Sequence, residues 1–310
     1  MSSANPVRIL FVDDEERILR TLSLQFRRQY QVFTEANPER VMARLVAEPV
    51  DIIVSDQRMP LMSGSQLLAQ VQKAYPNTLR ILLTGYSDLD AAVDALNSGG
   101  IFRYLTKPWD QQAITNTLAQ AAKIVLHRRS FADAPVALPA AATKGKSVRL
   151  LLVDDDAENQ LLSGEICQQL GVQLQTAATL EAAVARLNGD EIDILLSDIR
   201  LGGEDLRPLL MTLALAYPQL LSIVITPFQD TDLLLKLINQ AQIFRYLPKP
   251  IRRGMLERAI KAAVARVEEA RQQPSAPVMR QAEAPRAAEE QNQISNFMGM
   301  LGRLRQRLTA

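Results

Sequence analysis

Five kinds of position recur in this chain that could do chemistry together. Asp13 and Asp14, Asp56, Thr84 and Lys107 occur in that order, and Asp154 and Asp155, Asp198, Thr226 and Lys249 repeat the series. Three carboxylates gathered in one place repel one another and would partly protonate unless a cation joined them. With oxygen donors alone and no histidine or thiol nearby, the expected ion is Mg²⁺, which keeps several waters and bridges a carboxylate to a phosphoryl group. Such an ion and the Lys107 ammonium can neutralise an incoming phosphoryl group, leaving one aspartate as nucleophile in aspartyl-phosphate formation. Asp56 lies centrally and suits that role, while the adjacent Asp13 and Asp14 suit a shared metal. Phosphorylation would add roughly −1.5 to −2 charges, which Thr84 can meet with a hydrogen bond and Lys107 with an ion pair.

The repetition extends beyond these residues. Ile101-Phe102-Arg103-Tyr104-Leu105 returns 142 positions later as Ile243-Phe244-Arg245-Tyr246-Leu247, and Ala74-Tyr75-Pro76 returns as Ala216-Tyr217-Pro218. Asp13-Asp14 and Asp154-Asp155 are 141 apart, so one residue was inserted between this pair and the later aspartate. A period this long is too large for a solenoid and suits two copies of one domain.

These side chains need elements to position them. Arg8–Val12, Val32–Thr34, Asp51–Ser55, Leu79–Leu83 and Phe102–Leu105 read as strands, and runs such as Ile52-Ile53-Val54 imply strands covered on both faces. Glu16–Arg28, Pro38–Ala47, Ser65–Ala74, Leu89–Asn97 and Gln111–His127 show helical spacing, with Asn37 and Ser63 as N-caps and Gly99-Gly100 as a stop. The alternation predicts an α/β fold with a parallel sheet and recurs from Ser147 to about Gln272. Ligands in such sheets collect at the carboxyl ends of strands, where strand order reverses. Asp13 and Asp14 follow the first strand, Asp56 the third, Thr84 the fourth and Lys107 the fifth.

At 310 residues, 47% of them apolar, the chain can bury two cores of ordinary size. A formal net charge of +1 gives no general reason to bind nucleic acid or an anionic membrane. The single cysteine, Cys167, excludes an internal disulfide and reads as a small buried apolar residue. The N-terminus lacks an apolar signal core, which fits a cytoplasmic protein. Leu206 to Thr226 is almost uncharged and long enough to resemble a membrane span. Its counterpart, Gly64 to Thr84, carries Gln66, Gln70, Gln72, Lys73 and Arg80, so a buried helix followed by a buried strand is expected instead.

Asp13-Asp14, Asp56, Thr84 and Lys107-Pro108, in this order on βα units, resemble the receiver domain of two-component response regulators, over residues 7–128 and 148–272. The resemblance implies two flavodoxin-like (βα)5 doubly wound parallel sheets in tandem. Receiver 1 would occupy 1–129, a linker 130–147, a divergent receiver 2 148–272, and a flexible tail with a short basic amphipathic helix 273–310. It implies Asp56 as phosphoacceptor, with Asp14, Asp56 and the Arg58 backbone carbonyl as Mg²⁺ ligands and Asp13 supporting through water. Thr84 and Tyr104 would form a switch pair, Lys107 would contact the phosphoryl group, and the Lys107-Pro108 bond would be cis. A half-buried strand aromatic is the competing reading of Tyr104. In the second copy the corresponding residues are acceptor Asp198, metal-binding Asp154, Asp155, Asp198 and the Arg200 carbonyl, and Thr226, Tyr246 and Lys249.

The second copy departs at three places. Gly85 becomes Pro227, which has no N–H to give a phosphoryl oxygen; Met59-Pro60 becomes Leu201-Gly202; Gly64 becomes Leu206. Asp56 is therefore expected to accept phosphate readily and Asp198 poorly or with altered lifetime. The leading reading is a response regulator phosphorylated by a histidine kinase or phosphotransfer protein and acting on a downstream protein effector. The resemblance also offers a homodimer through helices near Leu89–Asn97 and Gln111–His127. Alternatives are an adaptor or phosphate sink and a haloacid-dehalogenase-type phosphatase, whose Asp-x-Asp pattern Asp154-Asp155-Asp156 fits loosely. In the tail, Ile294, Phe297, Met298, Leu301, Leu304 and Leu308 recur at helical spacing beside Arg303, Arg305 and Arg307, so a helix docking on a domain or another chain is expected ahead of a membrane-surface helix.

Overall fold

The structure is a computed structural model that describes residues 6–85, 93, 96, 97, 100–132, 147–227, 231–272, 282 and 288–308. Most of the expected helix Leu89–Asn97, the stop at Gly99 and most of the expected linker lie outside the described residues. The chain divides into two compact units, Met1–Val136 and Ala137–Ala310.

In the first unit the order is β1 (Arg8–Val12), α1 (Glu16–Phe26), β2 (Gln31–Glu35), α2 (Val41–Ala47), β3 (Ile52–Asp56), α3 (Gly64–Ala74), β4 (Leu79–Gly85), β5 (Ile101–Lys107) and α4 (Gln111–Ala132). The five strands are all parallel in the order β2-β1-β3-β4-β5, so strand order reverses between β1 and β3. β3 is buried along its whole length, which is why its sequence does not alternate. Helix α1 buries Leu19, Leu22 and Phe26 on one stripe. Ser63 caps α3 in a reciprocal capping box with Gln66, and the Asn37 side chain accepts from the Glu39 N–H at 2.9 Å. The expected helix Pro38–Ala47 begins instead as a 3₁₀ turn over Pro38–Arg40, the tighter hydrogen bonding common at helix N-termini. Helix α4 continues to Ala132, and Arg129 in its last turns is tied to Asp51 at 2.7 Å.

The second unit repeats the plan with β6 (Arg149–Val153), α5 (Ala157–Leu170), β7 (Gln173–Ala177), α6 (Leu180–Gly189) and β8 (Ile194–Asp198). A two-residue hairpin follows, β9 (Arg200–Leu201) paired antiparallel with β10 (Glu204–Asp205). Then come α7 (Arg207–Ala216), β11 (Leu221–Thr226), α8 (Thr231–Gln240), β12 (Arg245–Pro248), α9 (Arg253–Gln272) and α10 (Ala288–Leu308). The five long strands are parallel in the order β12-β11-β8-β6-β7, the same arrangement as in the first unit. The apolar run Leu206–Thr226 is a buried helix and a buried strand, as expected. No helix among the described residues is long and apolar enough to cross a membrane. Cys167 is buried on α5, and burial pushes its thiol up to about 11. In the tail, α10 packs against α6 and α7.

Candidate functional site

The crevice between the ends of β1 and β3 receives the residues singled out by spacing. Lys107, at the end of β5, places its Nζ 3.0 Å from Asp13 Oδ2 and 2.7 Å from Asp56 Oδ1. Asp13 is buried, and its other oxygen accepts the Glu15 backbone N–H at 2.9 Å. Asp14 is exposed. One oxygen from each of Asp13, Asp14 and Asp56 lies within 4.8 Å of the others, an all-oxygen cluster that fits a hard divalent cation with open positions for water.

The electrostatics of this cluster follow from burial. Desolvation holds the Asp56 carboxyl above the ordinary carboxylate range; the bond to Lys107 offsets only part of that, and the Asp13 charge adds to it. Burial alone would lower Lys107, but its bonds to Asp56 and Asp13 outweigh burial and keep it above the ordinary lysine value. The lysine therefore stays charged and partly neutralises two carboxylates, while the cluster still has room for more positive charge.

Thr84 ends up buried at the end of β4, and its hydroxyl donates to the Gly85 carbonyl at 3.3 Å. Tyr104 is fully buried on β5. The Lys107-Pro108 and Lys249-Pro250 bonds are both cis. The expected Arg58 belongs to the loop after Asp56, between β3 and α3.

In the second unit Lys249 again joins the two acids, 2.6 Å from Asp198 and 3.6 Å from Asp154. The surroundings differ. Asp154 also accepts from the Asn159 amide at 2.8 Å and from the Asp156 N–H at 2.9 Å, and burial outweighs these bonds to hold its carboxyl above the ordinary range. Asp155 turns to the Gly202 N–H at 3.1 Å, and the Arg200 N–H donates to Asp198 at 3.2 Å. Among the described residues, Asp154, Asp155 and Asp198 do not form a cluster like that of Asp13, Asp14 and Asp56. Asp156 caps α5, accepting from the N–H groups of Glu158 and Asn159, so the Asp-x-Asp pattern is helix capping. Thr226 and Tyr246 are buried as their counterparts are, and burial raises the Tyr246 phenol.

Several residues that build the pockets were not legible from their types. Gln57, buried beside Asp56, holds the start of α3 through Ser65: its amide oxygen accepts the Ser65 N–H at 3.0 Å. Gly64 sits where a Cβ would come within 2.0 Å of the Asp56 carbonyl oxygen, so the helix can approach β3 this closely only without a side chain. Leu206, its counterpart, keeps the equivalent backbone bond to Ile199 at 2.8 Å, where Gly64 bonds Gln57 at 3.1 Å. The loop before Leu206 is rebuilt as the β9–β10 hairpin. Gly202 and Gly203 form its turn with φ of 57° and 88°, and Gly-Gly before an acidic pair was the available signal.

The family described as "Response regulator receiver domain" matches residues 9–119 and 150–261. The chain is 34% identical over 113 residues to hydrogenase transcriptional regulatory protein HoxA of Cupriavidus necator, covering 36% of this chain and 23% of that one. It is 39% identical over 121 residues to DNA-binding transcriptional regulator NtrC of Proteus hauseri, covering 38% and 24%. Among solved structures, the signal receiver domain of an HD domain-containing protein from Pseudomonas fluorescens Pf-5 is 35% identical, with 42% of this chain and 96% of that one covered and a TM-score of 0.40. With both matched stretches falling on the two parallel sheets and their acidic pockets, the chain belongs to the response regulator receiver family and carries two receiver domains in tandem.

Proposed function

We propose that this chain is a two-component response regulator in which Asp56 is the phosphoacceptor and the second pocket is a modified copy of it. The observation that carries the proposal is the Lys107 ammonium set between Asp13 and Asp56, with Asp14 completing an all-oxygen cluster. Mg²⁺ would be held by Asp14, Asp56 and the Arg58 backbone carbonyl, with Asp13 acting through water; bound there, it supplies positive charge to the phosphoryl oxygens. An ionised Asp56 oxygen forms a P–O bond as the P–N bond of a donor phosphohistidine breaks. The imidazole leaves with the electron pair and takes up a proton. Lys107 moves from the carboxylate to a phosphoryl oxygen, and Thr84 donates to another, drawing its loop inward while Tyr104 completes the switch pair. The donor would be a histidine kinase or phosphotransfer protein, and the output a protein effector or a homodimer, in the cytoplasm.

In the second receiver Asp155 is engaged by the Gly202 N–H, and Pro227 removes the amide that follows Thr226. Asp198 would therefore accept phosphate poorly, with Asp154, Asp155, Asp198 and the Arg200 carbonyl as a weakened cation site and Thr226, Tyr246 and Lys249 as its remaining partners. This favours a second role for that domain as a docking module. Incubating Asp56→Asn and Asp198→Asn variants with a small phosphodonor and Mg²⁺ tests the assignment. Most label is expected to vanish in Asp56→Asn and persist in Asp198→Asn; equal labelling of the two variants would contradict it.

A further inference from the structure

Helix α7 differs from its counterpart α3 on the side turned away from the sheet. In the first receiver Gln66 and Gln70 are exposed, Ala69 is half-buried, and the buried residues Gly64, Leu67, Leu68 and Val71 form one stripe. At the 142 offset these outer positions are Pro208, Thr212 and Met211, and all three are buried. Residues 208–213 are buried without interruption, a pattern that one sheet face cannot produce in a helix. The Thr212 hydroxyl donates to the Pro208 carbonyl at 2.6 Å, so its polar group needs no water.

The covering element is α10. It packs against α7 and α6, and it buries Ile294 and Leu301, two turns apart on one face, with Phe297 half-buried between them. Gln291, Asn292, Gln293, Ser295 and Asn296 remain exposed, and Glu290 reaches Lys236 of α8 at 3.3 Å. A helix carrying Gly299 and Gly302 has weak intrinsic helicity, so packing of the apolar face must supply its order.

We infer that α10 is a dedicated intramolecular cover for the α6–α7 face of the second receiver, withholding from other proteins the counterpart of a face on which the first receiver exposes Gln66 and Gln70. The buried replacements Pro208, Met211 and Thr212 for Gln66, Ala69 and Gln70, and the apolar stripe of α10, are two halves of one interface, made by residues more than eighty positions apart in sequence. The α6–α7 face and α10 then protect one another, and the face is available to a partner only if the helix is displaced. This reading stands apart from phosphoryl chemistry and does not require it.

Hydrogen exchange on the full chain tests it. In a double Ile294→Asp, Leu301→Asp variant, amides of 290–301 should exchange at least about tenfold faster and protection across 207–216 should fall. Gln293→Asp, on the exposed side, should leave both unchanged. Returning the first-copy residue types to the receiver, Pro208→Gln with Thr212→Gln, should release α10 equally while the rest of residues 148–272 keeps its protection. Fast exchange of 290–301 already in the unmodified chain would overturn the proposal. So would a dimer that only the α10 variants dissociate, because the cover would then come from a second copy.

Discussion

The chemistry of this chain turns on the neighbourhood of one carboxylate. Asp56 is raised by burial and by Asp13, and partly returned by Lys107. Between the ordinary carboxylate range and that raised value the folded chain holds more proton than the unfolded one, so this group's contribution to stability falls as pH rises through the window. A divalent cation needs the ionised form, so its affinity runs the other way and strengthens as pH rises through the same window. Trp109, the single tryptophan, lies with its ring centred 5.9 Å from Lys107 Nζ, within reach of a reporter of this pocket. Mg²⁺ titrations followed by its fluorescence should show affinity decreasing as the medium is acidified, and Asp56→Asn should remove the response; an affinity independent of pH would count against the assignment. Gly64→Ala should cost about 1–3 kcal/mol in urea unfolding, because the new methyl must displace the Asp56 carbonyl or the helix. It should weaken the fluorescence response as well. The acidic residues, Thr84 and Lys107 were legible because chemistry needs their types in that order. Gln57 and Asn159 were not, since an amide that positions a neighbour looks like any polar residue until its partner is known.

At the level of elements, the strands were read nearly to their ends because a buried parallel strand leaves an apolar run of fixed length. The repeat Ile-Phe-Arg-Tyr-Leu proved to combine two kinds of residue. Arg103 and Arg245 lie over the rings of their own preceding phenylalanines at 4.7 and 4.2 Å, a packing role. A second repeated pair went unread, since a lone aspartate carries no motif. Asp51 accepts the Arg8 backbone N–H and the Arg129 guanidinium, both at 2.7 Å, and Asp193 does the same for Arg149 at 2.9 Å and Arg271 at 2.8 Å. Each ties a helix, α4 or α9, to the amino end of the first strand of its sheet, at the end opposite the acidic pocket. The arginines are partly exposed, so the ion pairs add little, and most of the effect belongs to the backbone bond. Asp51→Ala and Asp193→Ala should each destabilise their own domain by about 1–2 kcal/mol, with phosphodonor labelling at Asp56 retained below the unfolding transition. Loss of labelling in folded Asp51→Ala would place that residue in the chemistry instead.

Across the whole molecule, duplication has produced two receivers with one topology and two different pockets. The offset of the repeat was visible in the sequence, and so was the loss of an amide at Pro227. The rebuilding of the loop after β8 was only hinted at by Gly202-Gly203, because two glycines allow a tight turn without specifying which residues it pairs. The cover of α7 by α10 was half legible: both apolar stripes could be seen, but their pairing depends on a fold that brings distant segments together. The central claim of the proposed function is that the first pocket holds a cation well and the second is a weakened copy of it. Equilibrium binding of Mn²⁺, a paramagnetic stand-in for Mg²⁺, measures it directly by stoichiometry. One principal site per chain, abolished by Asp14→Asn and retained in Asp155→Asn, is the predicted result; two equivalent sites, or one that survives Asp14→Asn and is lost in Asp155→Asn, would contradict it.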